Sequence, residues 1–288
     1  MIYLIIAFIV VIILVCLELV REQKGYVIRH YQISSEKLSG NSEELKLVFL
    51  SDLHGHEYGK NNERLIKDIE EIAPAAILCG GDMVIGKENY CCDKVIDFIG
   101  KLTKIAPVYH ANGNHEQRLR TDAEKYGDIY EKYKEALVKY GVIYMENETQ
   151  IFEAKGKKIK ITGVELPSYC YAHNGVKPIK EKDIENQVGK ADTSCYNVLM
   201  AHHPAYVADY KEWGADLVLS GHLHGGVMRL PILGGVISPQ MGLFPKYSGD
   251  HYKEEDVDIV VSKGLGTHTI HIRLFNPAEL IVLHLNGR

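Results

Sequence analysis

Residues 47–54 read Leu-Val-Phe-Leu-Ser-Asp-Leu-His, an apolar run that ends in two side chains able to bind a metal. A near-continuous apolar run is typical of a strand that is covered on both faces, as in a parallel sheet. In α/β sheets, ligands collect beyond the carboxyl ends of such strands. Asp52 and His54 are separated by one residue, so in extended geometry both side chains point to the same side. The stretch therefore predicts an α/β fold with a metal site at the end of a core strand.

Four further fragments of the same kind follow along the chain, each after its own apolar run. They are Gly80-Gly81-Asp82, Gly113-Asn114-His115-Glu116, Ala201-His202-His203 and Gly221-His222-Leu223-His224. A single fragment of this kind is usually only a polar turn at the end of a strand. Five in one order, with Asp, His and Asn side chains and glycines beside them, indicate a two-metal hydrolase.

The side chains in these fragments suit two divalent cations. Asp82 has two carboxylate oxygens and can bridge both ions, while Asn114 offers a neutral amide oxygen. Imidazoles come from His54, His202, His222 and His224. This mixture of nitrogen and oxygen ligands suits Mn, Fe or Zn. Two such ions about 3.5–4 Å apart clamp a phosphoryl oxygen and lower the pKa of a bound water, and the hydroxide can attack phosphorus in line. His115 need not be a ligand, because it can donate a proton to the leaving oxygen or stabilise phosphoryl charge.

Length, charge and cysteine use set the class of protein. The chain has 288 residues and a formal net charge of -5, with both signs mixed along its length. That length suits one large α/β domain behind an apolar N-terminal segment. The mixed charge shows no basic patch of the kind that binds nucleic acid. The six cysteines are spaced neither like a disulfide framework nor like a zinc ribbon.

The N-terminus predicts a membrane anchor. Residues 2–17 carry no charge, and the apolar character continues past Glu18. At about 1.5 Å per residue this segment approaches the roughly 20 residues that span a bilayer. A cleavable signal peptide is the alternative, but the run exceeds the usual apolar core of one. Moreover, no Lys or Arg precedes the run and no small-residue cleavage site follows it.

The predicted organisation has three parts: an anchor over residues 1–20, a membrane-proximal segment with a first strand over 21–45, and a catalytic domain over 46–288. Positive charges follow the span at Arg21, Lys24, Arg29 and Lys37. By the positive-inside rule they place the catalytic domain in the cytoplasm.

Hydrophobic periodicity predicts β-α-β alternation first and a strand-rich region afterwards. In the first half, strands are predicted at 26–33, 46–50 and 75–79, and helices at 61–72, 92–105 and 118–140. In the second half, strands are predicted at 150–154, 157–163, 197–200, 217–219, 258–262 and 279–285, with a helix at 204–213. Residues 169–192 have no clear period and are predicted to form a loop over the site. The pattern favours two packed sheets with helices outside.

Taken together, the fragments resemble the calcineurin-like metallophosphoesterase superfamily. Its pattern of D-x-H, G-D, G-N-H-[DE], H and G-H-x-H is present in order from Ser51 to His224. The resemblance implies a four-layer α/β/β/α sandwich and two metal shells that share Asp82. The first implied shell consists of Asp52, His54, Asp82 and His224. The second implied shell consists of Asp82, Asn114, His202 and His222. His115 matches the catalytic histidine.

The rest of the chain resembles the bacterial membrane-anchored phosphoesterases. The shared features are the N-terminal span, a strand containing Tyr31-Gln32-Ile33, the stretch 225–231 and the tail 264–277. Val227 departs from the Gln of many relatives. Some relatives act on UDP-2,3-diacylglucosamine or other lipid-linked phosphodiesters, and others are exported and associate with the cell wall, so the substrate does not transfer with the fold.

The implied function is that of a membrane-anchored, dinuclear metal-dependent phosphoesterase. Its substrate would be a phosphodiester, a pyrophosphate or a phosphomonoester, with lipid-linked esters among the candidates. The alternative is a non-catalytic interaction protein that retains the fold. Degenerate relatives usually lose ligands or the catalytic histidine, whereas all seven ligands and His115 are present here.

Overall fold

A computed structural model describes residues 1–39, 43–172, 175–180, 183–226, 228–230, 234–237, 242–267 and 272–288. Val227 and three histidines without an assigned role lie outside these residues, namely His173, His268 and His271. The helices are α1 (Ile2–Lys24), α2 (Glu63–Ile72), α3 (Asp93–Leu102), α4 (Asn114–Thr121), α5 (Ala123–Tyr126), α6 (Ile129–Lys139), α7 (Asp183–Val188) and α8 (Val207–Trp213). Short 3₁₀ helices span Glu36–Leu38, Lys60–Asn62, Ser168–Tyr171 and Pro204–Tyr206.

Two mixed six-stranded sheets organise the domain. The strands are β1 (Tyr26–Ser35), β2 (Leu45–Leu50), β3 (Ala76–Cys79), β4 (Val108–Ala111), β5 (Ile143–Met145), β6 (Glu148–Ala154), β7 (Lys157–Val164), β8 (Tyr196–Ala201), β9 (Leu217–Ser220), β10 (Arg229–Leu230), β11 (Gly234–Gly235), β12 (Asp250–Glu254), β13 (Val257–Val261) and β14 (Ala278–Gly287). The first sheet has the order β1-β14-β2-β3-β4-β5 and the second β12-β13-β9-β8-β7-β6. The short pair β10-β11 stands apart.

The layers follow from strands that are apolar on both faces. In β2, Leu47 and Phe49 pack in the core between the two sheets, while Val48 and Leu50 pack under α2, α3 and α6. A third apolar cluster lies between the second sheet and the layer of α7 and α8. The arrangement is the α/β/β/α sandwich that the sequence predicted, with an apolar helix in front of it.

The C-terminal strand returns to the first sheet. Strand β14 lies between β1 and β2, parallel to β1 and antiparallel to β2. Tyr26, where α1 ends and β1 begins, is paired with Ala278 at the start of β14. The start of β14 lies at the carboxyl end of β2, because Ile281 is paired with Phe49. Helix α1 therefore joins the domain at the sheet edge where residues 51–54 follow β2.

One predicted helix is wrong. Residues 118–140 form parts of three helices, α4, α5 and α6, rather than one. The breaks lie at Asp122, with φ -125° and ψ 59°, and at Gly127, with φ 63° and ψ -141°. Helix α4 also begins earlier than predicted, at Asn114, because the Glu116 side chain accepts a hydrogen bond from the backbone of the N-cap Gly113. The other predicted elements are found with shifted ends, whereas α7, β5, β10, β11 and β12 were not predicted.

Helix α1 is exposed along its apolar length, and Glu22 is its one buried residue. Its 23 residues extend about 35 Å. By length and composition it can cross a membrane, a test that a signal sequence near an N-terminus also passes. At its last turn, an oxygen of Glu22 accepts a hydrogen bond of 3.1 Å from the backbone N–H of Asn276. All six cysteines are free thiols, as predicted.

Candidate metal centre

The five polar fragments converge between the two sheets. They follow β2, β3, β4, β8 and β9, whose carboxyl ends lie at one edge of the sandwich. Backbone bonds join the loops: the N–H of Asp52 donates to the carbonyl of Gly81 at 3.0 Å, and that of His54 to Asp82 at 3.0 Å. A Cβ at Gly113 would lie 2.2 Å from the Oδ1 atom of Asp82. The glycine thus lets the third fragment approach the second closely.

Five of the seven predicted ligands have left-handed backbone conformations. They are Asp52 (φ 53°), His54 (φ 48°), Asp82 (φ 53°), His222 (φ 66°) and His224 (φ 50°). The conformation costs a non-glycine residue roughly 1–2 kcal/mol. Such residues cluster at ligand-binding sites, where the surrounding structure holds them in place. The surrounding structure thus holds the backbone so that these five side chains point towards the same site.

The first group of side chains contains Asp52, His54 and His224, whose candidate ligand atoms lie within 4.8 Å of one another. The Nε2 atoms of His54 and His224 are 3.1 Å apart, and Nε2 of His224 is 3.4 Å from Oδ1 of Asp52. Oδ1 of Asp52 also accepts a 3.0 Å hydrogen bond from the backbone N–H of His222. The structure thus brings together three of the four ligands implied for the first shell.

The second group contains Asp82, His202 and His222. The Nδ1 atom of His202 lies 2.8 Å from the carbonyl oxygen of Gly80, to which it donates a hydrogen bond. Its Nε2 atom lies 3.1 Å from Oδ2 of Asp82. Burial alone would lower the pKa of His202, but the carboxylates of Asp82 and Asp52 raise it to about 10. Without a cation, Nε2 therefore carries a proton towards Asp82, and a bound cation would take the place of that proton. A backbone carbonyl that orients an imidazole in this way is the usual support of a metal ligand.

Buried atoms at this point fit a cation. Among the described residues, Oδ1 of Asn114 and Nε2 of His222 are buried and lack a hydrogen-bond partner. Buried polar atoms are nearly always hydrogen-bonded. His222 belongs to the group with Asp82 and His202, and Asn114 lies between Gly113 and His115, which both lie against Asp82. Carbonyl oxygen and imidazole nitrogen are a donor set that a metal would satisfy. The His and Asp clusters are therefore consistent with a dinuclear metal site.

The electrostatics keep Asp82 ionised and His222 neutral. Burial alone would raise the pKa of Asp82, but the imidazoles of His202, His115 and His54 hold it well below its usual range. Burial, together with the neighbouring rings of His203 and His202, lowers the pKa of His222 well below its usual value. An ionised carboxylate and a neutral imidazole are the forms that bind metals.

His115 lies beside this cluster, with its Nε2 atom 3.9 Å from Oδ2 of Asp82. Its Nδ1 atom accepts a 2.7 Å hydrogen bond from the backbone N–H of Gly86. The proton of the neutral ring is therefore on Nε2, which faces the site. The structure also groups His115 with His54 and Asp82 by distance, so distance alone does not separate it from the ligands.

Glu116 holds two of the strand-end loops together. Its buried carboxylate accepts hydrogen bonds from the backbone N–H groups of Asp82 (2.8 Å), Met83 (2.8 Å) and Gly113 (2.9 Å). Burial and the charge of Asp82 raise its pKa to about 7, while the N–H groups favour the carboxylate. This geometry gives Glu116 a structural role.

Glu116→Gln is expected to lower the free energy of unfolding by about 3 kcal/mol, because an amide NH₂ would face N–H donors inside the protein. Urea denaturation measures the change. Glu124→Gln, at an exposed position on α5, is the matched control and should lie within about 0.5 kcal/mol of the unchanged chain. Equal stability of the two variants would show that the carboxylate does not hold the loops.

Two other histidines near the fragments are buried rather than solvent-facing. The ring of His203 lies 4.4 Å from that of His222, and its carbonyl accepts a 2.7 Å bond from the Tyr210 hydroxyl. His110 is fully buried, with Nε2 2.8 Å from the Tyr133 hydroxyl and its ring stacked on Tyr144. His110 thus belongs to the core under α6.

The pKa of His110 predicts acid sensitivity. Burial lowers that pKa from 6.5 to about 3, so below pH 6.5 the unfolded chain binds a proton that the native state does not. Its contribution to stability is present above pH 6.5 and is lost as the pH falls towards 3, by about 2 kcal/mol between pH 6.5 and 5. The difference in urea stability between the unchanged chain and His110→Phe should shrink by that amount over this range. A difference independent of pH would contradict the assignment.

Tyr171 is a site residue that the sequence did not reveal. It ends the 3₁₀ helix Ser168–Tyr171, inside the segment 169–192 that was predicted as a loop over the site. Its ring lies 5.1 Å from that of His222 and is stacked on His203 at 5.7 Å. Burial raises its pKa well above the usual value, so its hydroxyl stays protonated. The only sequence signal was its place in an aperiodic segment.

Comparison with known proteins shows which family and which relatives the chain is similar to. Residues 45–226 match the family model described as "Calcineurin-like phosphoesterase". The chain is 26% identical over 261 residues to the uncharacterized metallophosphoesterase YkuE of Bacillus subtilis (strain 168), covering 89% of this chain and 84% of that protein. It is 25% identical over 202 residues to the phosphodiesterase YaeI of Escherichia coli (strain K12), covering 69% and 67%. A solved archaeal phosphodiesterase matches with a TM-score of 0.40 at 16% identity, covering 78% of this chain and 88% of that one.

Proposed function

Because this chain belongs to the calcineurin-like phosphoesterase family and is a metallophosphoesterase hydrolase, we propose that it is a membrane-anchored enzyme that uses two divalent cations to hydrolyse a phosphoester. The observation that carries the proposal is the convergence of Asp52, Asp82 and four imidazoles in two groups, together with buried atoms of Asn114 and His222 that lack hydrogen-bond partners. A purely structural role for the fold gives no reason to keep those atoms unsatisfied.

The proposed ligands form two shells around a common carboxylate. The first shell is Asp52, His54, Asp82 and His224. The second is Asp82, Asn114, His202 and His222. The group of Asp52, His54 and His224 lies within the first shell, and the group of Asp82, His202 and His222 lies within the second. A third group, His54, Asp82 and His115, contains the proposed catalytic residue. When bound, Mn, Fe or Zn would supply Lewis acidity and an activated water as nucleophile.

His115 acts on the substrate itself. Since the N–H of Gly86 donates to Nδ1, the ring presents Nε2–H to the site. A neutral imidazole is a poor proton donor but a good hydrogen-bond donor, so its proposed role is to stabilise negative charge on the phosphoryl group. Of the two roles open from the sequence, this bond favours charge stabilisation over proton transfer to the leaving oxygen.

The proposed substrate class is a phosphodiester, a pyrophosphate or a phosphomonoester, with a lipid-linked ester such as UDP-2,3-diacylglucosamine among the candidates. Support for a lipid-linked substrate comes from topology, because α1 joins the domain at the sheet edge that carries the site. The proposed location is the cell membrane, with a single span. The positive charges after α1 support a cytoplasmic catalytic domain.

Hydrolysis of bis-p-nitrophenyl phosphate by the full chain, with Mn²⁺ added and then replaced by other divalent ions, tests the proposal. Turnover that depends on metal is the expected result. The alternative is a non-catalytic interaction protein. A folded protein that binds two metals yet shows no activity with any divalent ion would establish that alternative.

A further inference from the structure

A short apolar sheet lies next to the metal centre. The backbone N–H of Val236 donates to the carbonyl of Met228 at 2.9 Å, and that of Phe244 to Val236 at 2.9 Å. On the other side, Met228 forms a parallel bridge with Leu274. Met228, Val236 and Leu274 thus form one row across neighbouring chain segments, with Phe244 bonded at its end, and extended residues in such a row project to the same face.

The outer face of this sheet is exposed and apolar. We define the apolar platform as Met228, Val236, Phe244, Ile272, Leu274 and Phe275. Within it, Ile272 is 44% exposed, Phe244 49% and Phe275 57%. Beside these residues, Arg273 and Gly235 are buried, whereas Leu243 is 68% exposed. Exposed apolar patches of this kind mark contacts with a protein or a membrane.

Two platform residues are held in an unfavourable backbone conformation. Phe244 has φ 47° and Phe275 has φ 53°, the left-handed region that bulky side chains rarely adopt. Glycine would adopt it without strain. Phenylalanine at both loop tips indicates that the exposed ring itself has a use, since strained residues collect where a ligand binds.

Hydrogen bonds connect the platform to both α1 and the site. Asn276, the residue after Phe275, donates from Nδ2 to the carbonyl oxygens of His224 (2.7 Å) and Gly226 (2.6 Å). Its backbone N–H donates to Glu22 in the last turn of α1. Asn276 therefore links the platform both to the end of the apolar helix and to the backbone of His224, a proposed metal ligand.

We propose that the apolar platform is a second membrane contact, which enters the surface of the bilayer that holds α1. The inference rests on the proposed function, because it takes α1 as an anchor. The occupant is a lipid bilayer rather than a protein, since the platform is continuous with a helix long and apolar enough to cross one. Arg21 and Lys24 in the last turn of α1 are suited to lipid phosphates at the same level.

This contact assigns a substrate class to the site. When Phe244 and Phe275 enter the bilayer surface, His224 is close to the lipid headgroups, because its carbonyl accepts a hydrogen bond from Asn276, the residue after Phe275. A phosphoester carried on a lipid would reach the metal centre without leaving the membrane. The platform thus favours lipid-borne esters over soluble ones of the same chemistry.

Depth-dependent fluorescence quenching tests the contact without using activity. The full chain is placed in phosphatidylethanolamine–phosphatidylglycerol vesicles whose acyl chains carry a nitroxide near the headgroup. Phe275→Trp and Phe244→Trp report on the platform, and Ile151→Trp, on exposed β6, is the matched control. Trp213 is the common background. Quenching at 275 and 244 but not at 151 is expected, while equal signals at all three positions would overturn the proposal.

A double substitution tests the substrate class. Phe244→Asp with Phe275→Asp should fold, because Asp tolerates the left-handed region better than Phe. Hydrolysis of bis-p-nitrophenyl phosphate should be unchanged, while hydrolysis of a vesicle-borne acyl analogue of that ester should fall at least about tenfold. Equal loss on both esters would overturn the inference. So would a dimer in detergent that the substitutions dissociate, because a second copy would then be the occupant.

These outcomes separate the inference from the proposed function. An unchanged chain that hydrolyses neither ester with any metal would refute the proposed function, whereas the quenching result would still decide whether the platform contacts lipid.

Discussion

Asp82→Ala is expected to reduce metal-dependent phosphodiester hydrolysis to background and to reduce bound metal from about two equivalents to one or fewer. Asp82 is the carboxylate shared by the two proposed shells, and it lies 3.1 Å from His202 and 3.9 Å from His54. Its Oδ1 atom also accepts a 2.8 Å bond from the backbone N–H of His115. The change therefore removes a ligand from each shell and the support of the next fragment.

Metal analysis by mass spectrometry, together with steady-state rates, measures both effects. Asp97→Ala, at an exposed position on α3, is the control and should match the unchanged chain. Asn114→Ala should lower metal content and rate as well, but by removing a ligand from the second shell alone. Full metal content in Asp82→Ala would contradict the bridging assignment.

His115→Ala is expected to lower kcat by about 10²–10³ while metal content stays near that of the unchanged chain. The expected size is that of one hydrogen-bond donor to a developing negative charge. The retained metal follows from geometry, because Nδ1 is occupied by Gly86 and Nε2 lies 3.9 Å from Asp82. Rates at saturating substrate and metal content on the same sample give the two readouts.

A loss of metal from His115→Ala as severe as that from Asp82→Ala would contradict the separation of roles. His115 would then be a ligand, as its grouping with His54 and Asp82 by distance also allows. His203→Ala is a useful comparison, because this ring is equally buried but is proposed neither as a ligand nor as a catalyst.

The site was predictable because its information is local. Each fragment combines an apolar strand with a polar end, and parallel strands bring their carboxyl ends to one edge. The position of Asp52 and His54 beyond the end of β2 could therefore be predicted from residues 47–54 alone, but the extended geometry predicted for them is wrong, because Asp52 has φ 53° and His54 φ 48°. The left-handed conformation of Asp52 was not predictable, since nothing in the sequence distinguishes it from an extended residue.

The features that the sequence did not predict depend on contacts between residues that are far apart in the chain. The place of β14 between β1 and β2 joins the two ends of the chain, and no local pattern encodes that pairing. The breaks at Asp122 and Gly127 were missed because charged helix-forming residues flank both. Tyr171 is a site residue only because the fold packs it on His203 and His222.

Glu18 and Glu22 in α1 also show that the sequence alone does not reveal distant contacts. Glu18 interrupts the apolar run and Glu22 follows its end, and the sequence alone does not show that the two side chains differ in environment. Glu18 forms an exposed pair with Arg21, whereas Glu22 is buried against Asn276. The difference arises from a partner 254 positions away.

The shared sheet edge also has a consequence for the proposed membrane-anchored enzyme. A catalytic centre held where α1 leaves the domain would stay at a fixed height over the bilayer and would search for lipid-borne esters by lateral diffusion. Its turnover would then scale with the number of substrate molecules per unit area of membrane, not with their amount per unit volume. Inert lipid added to the same vesicles would slow such an enzyme even when the total quantities of enzyme and substrate are unchanged.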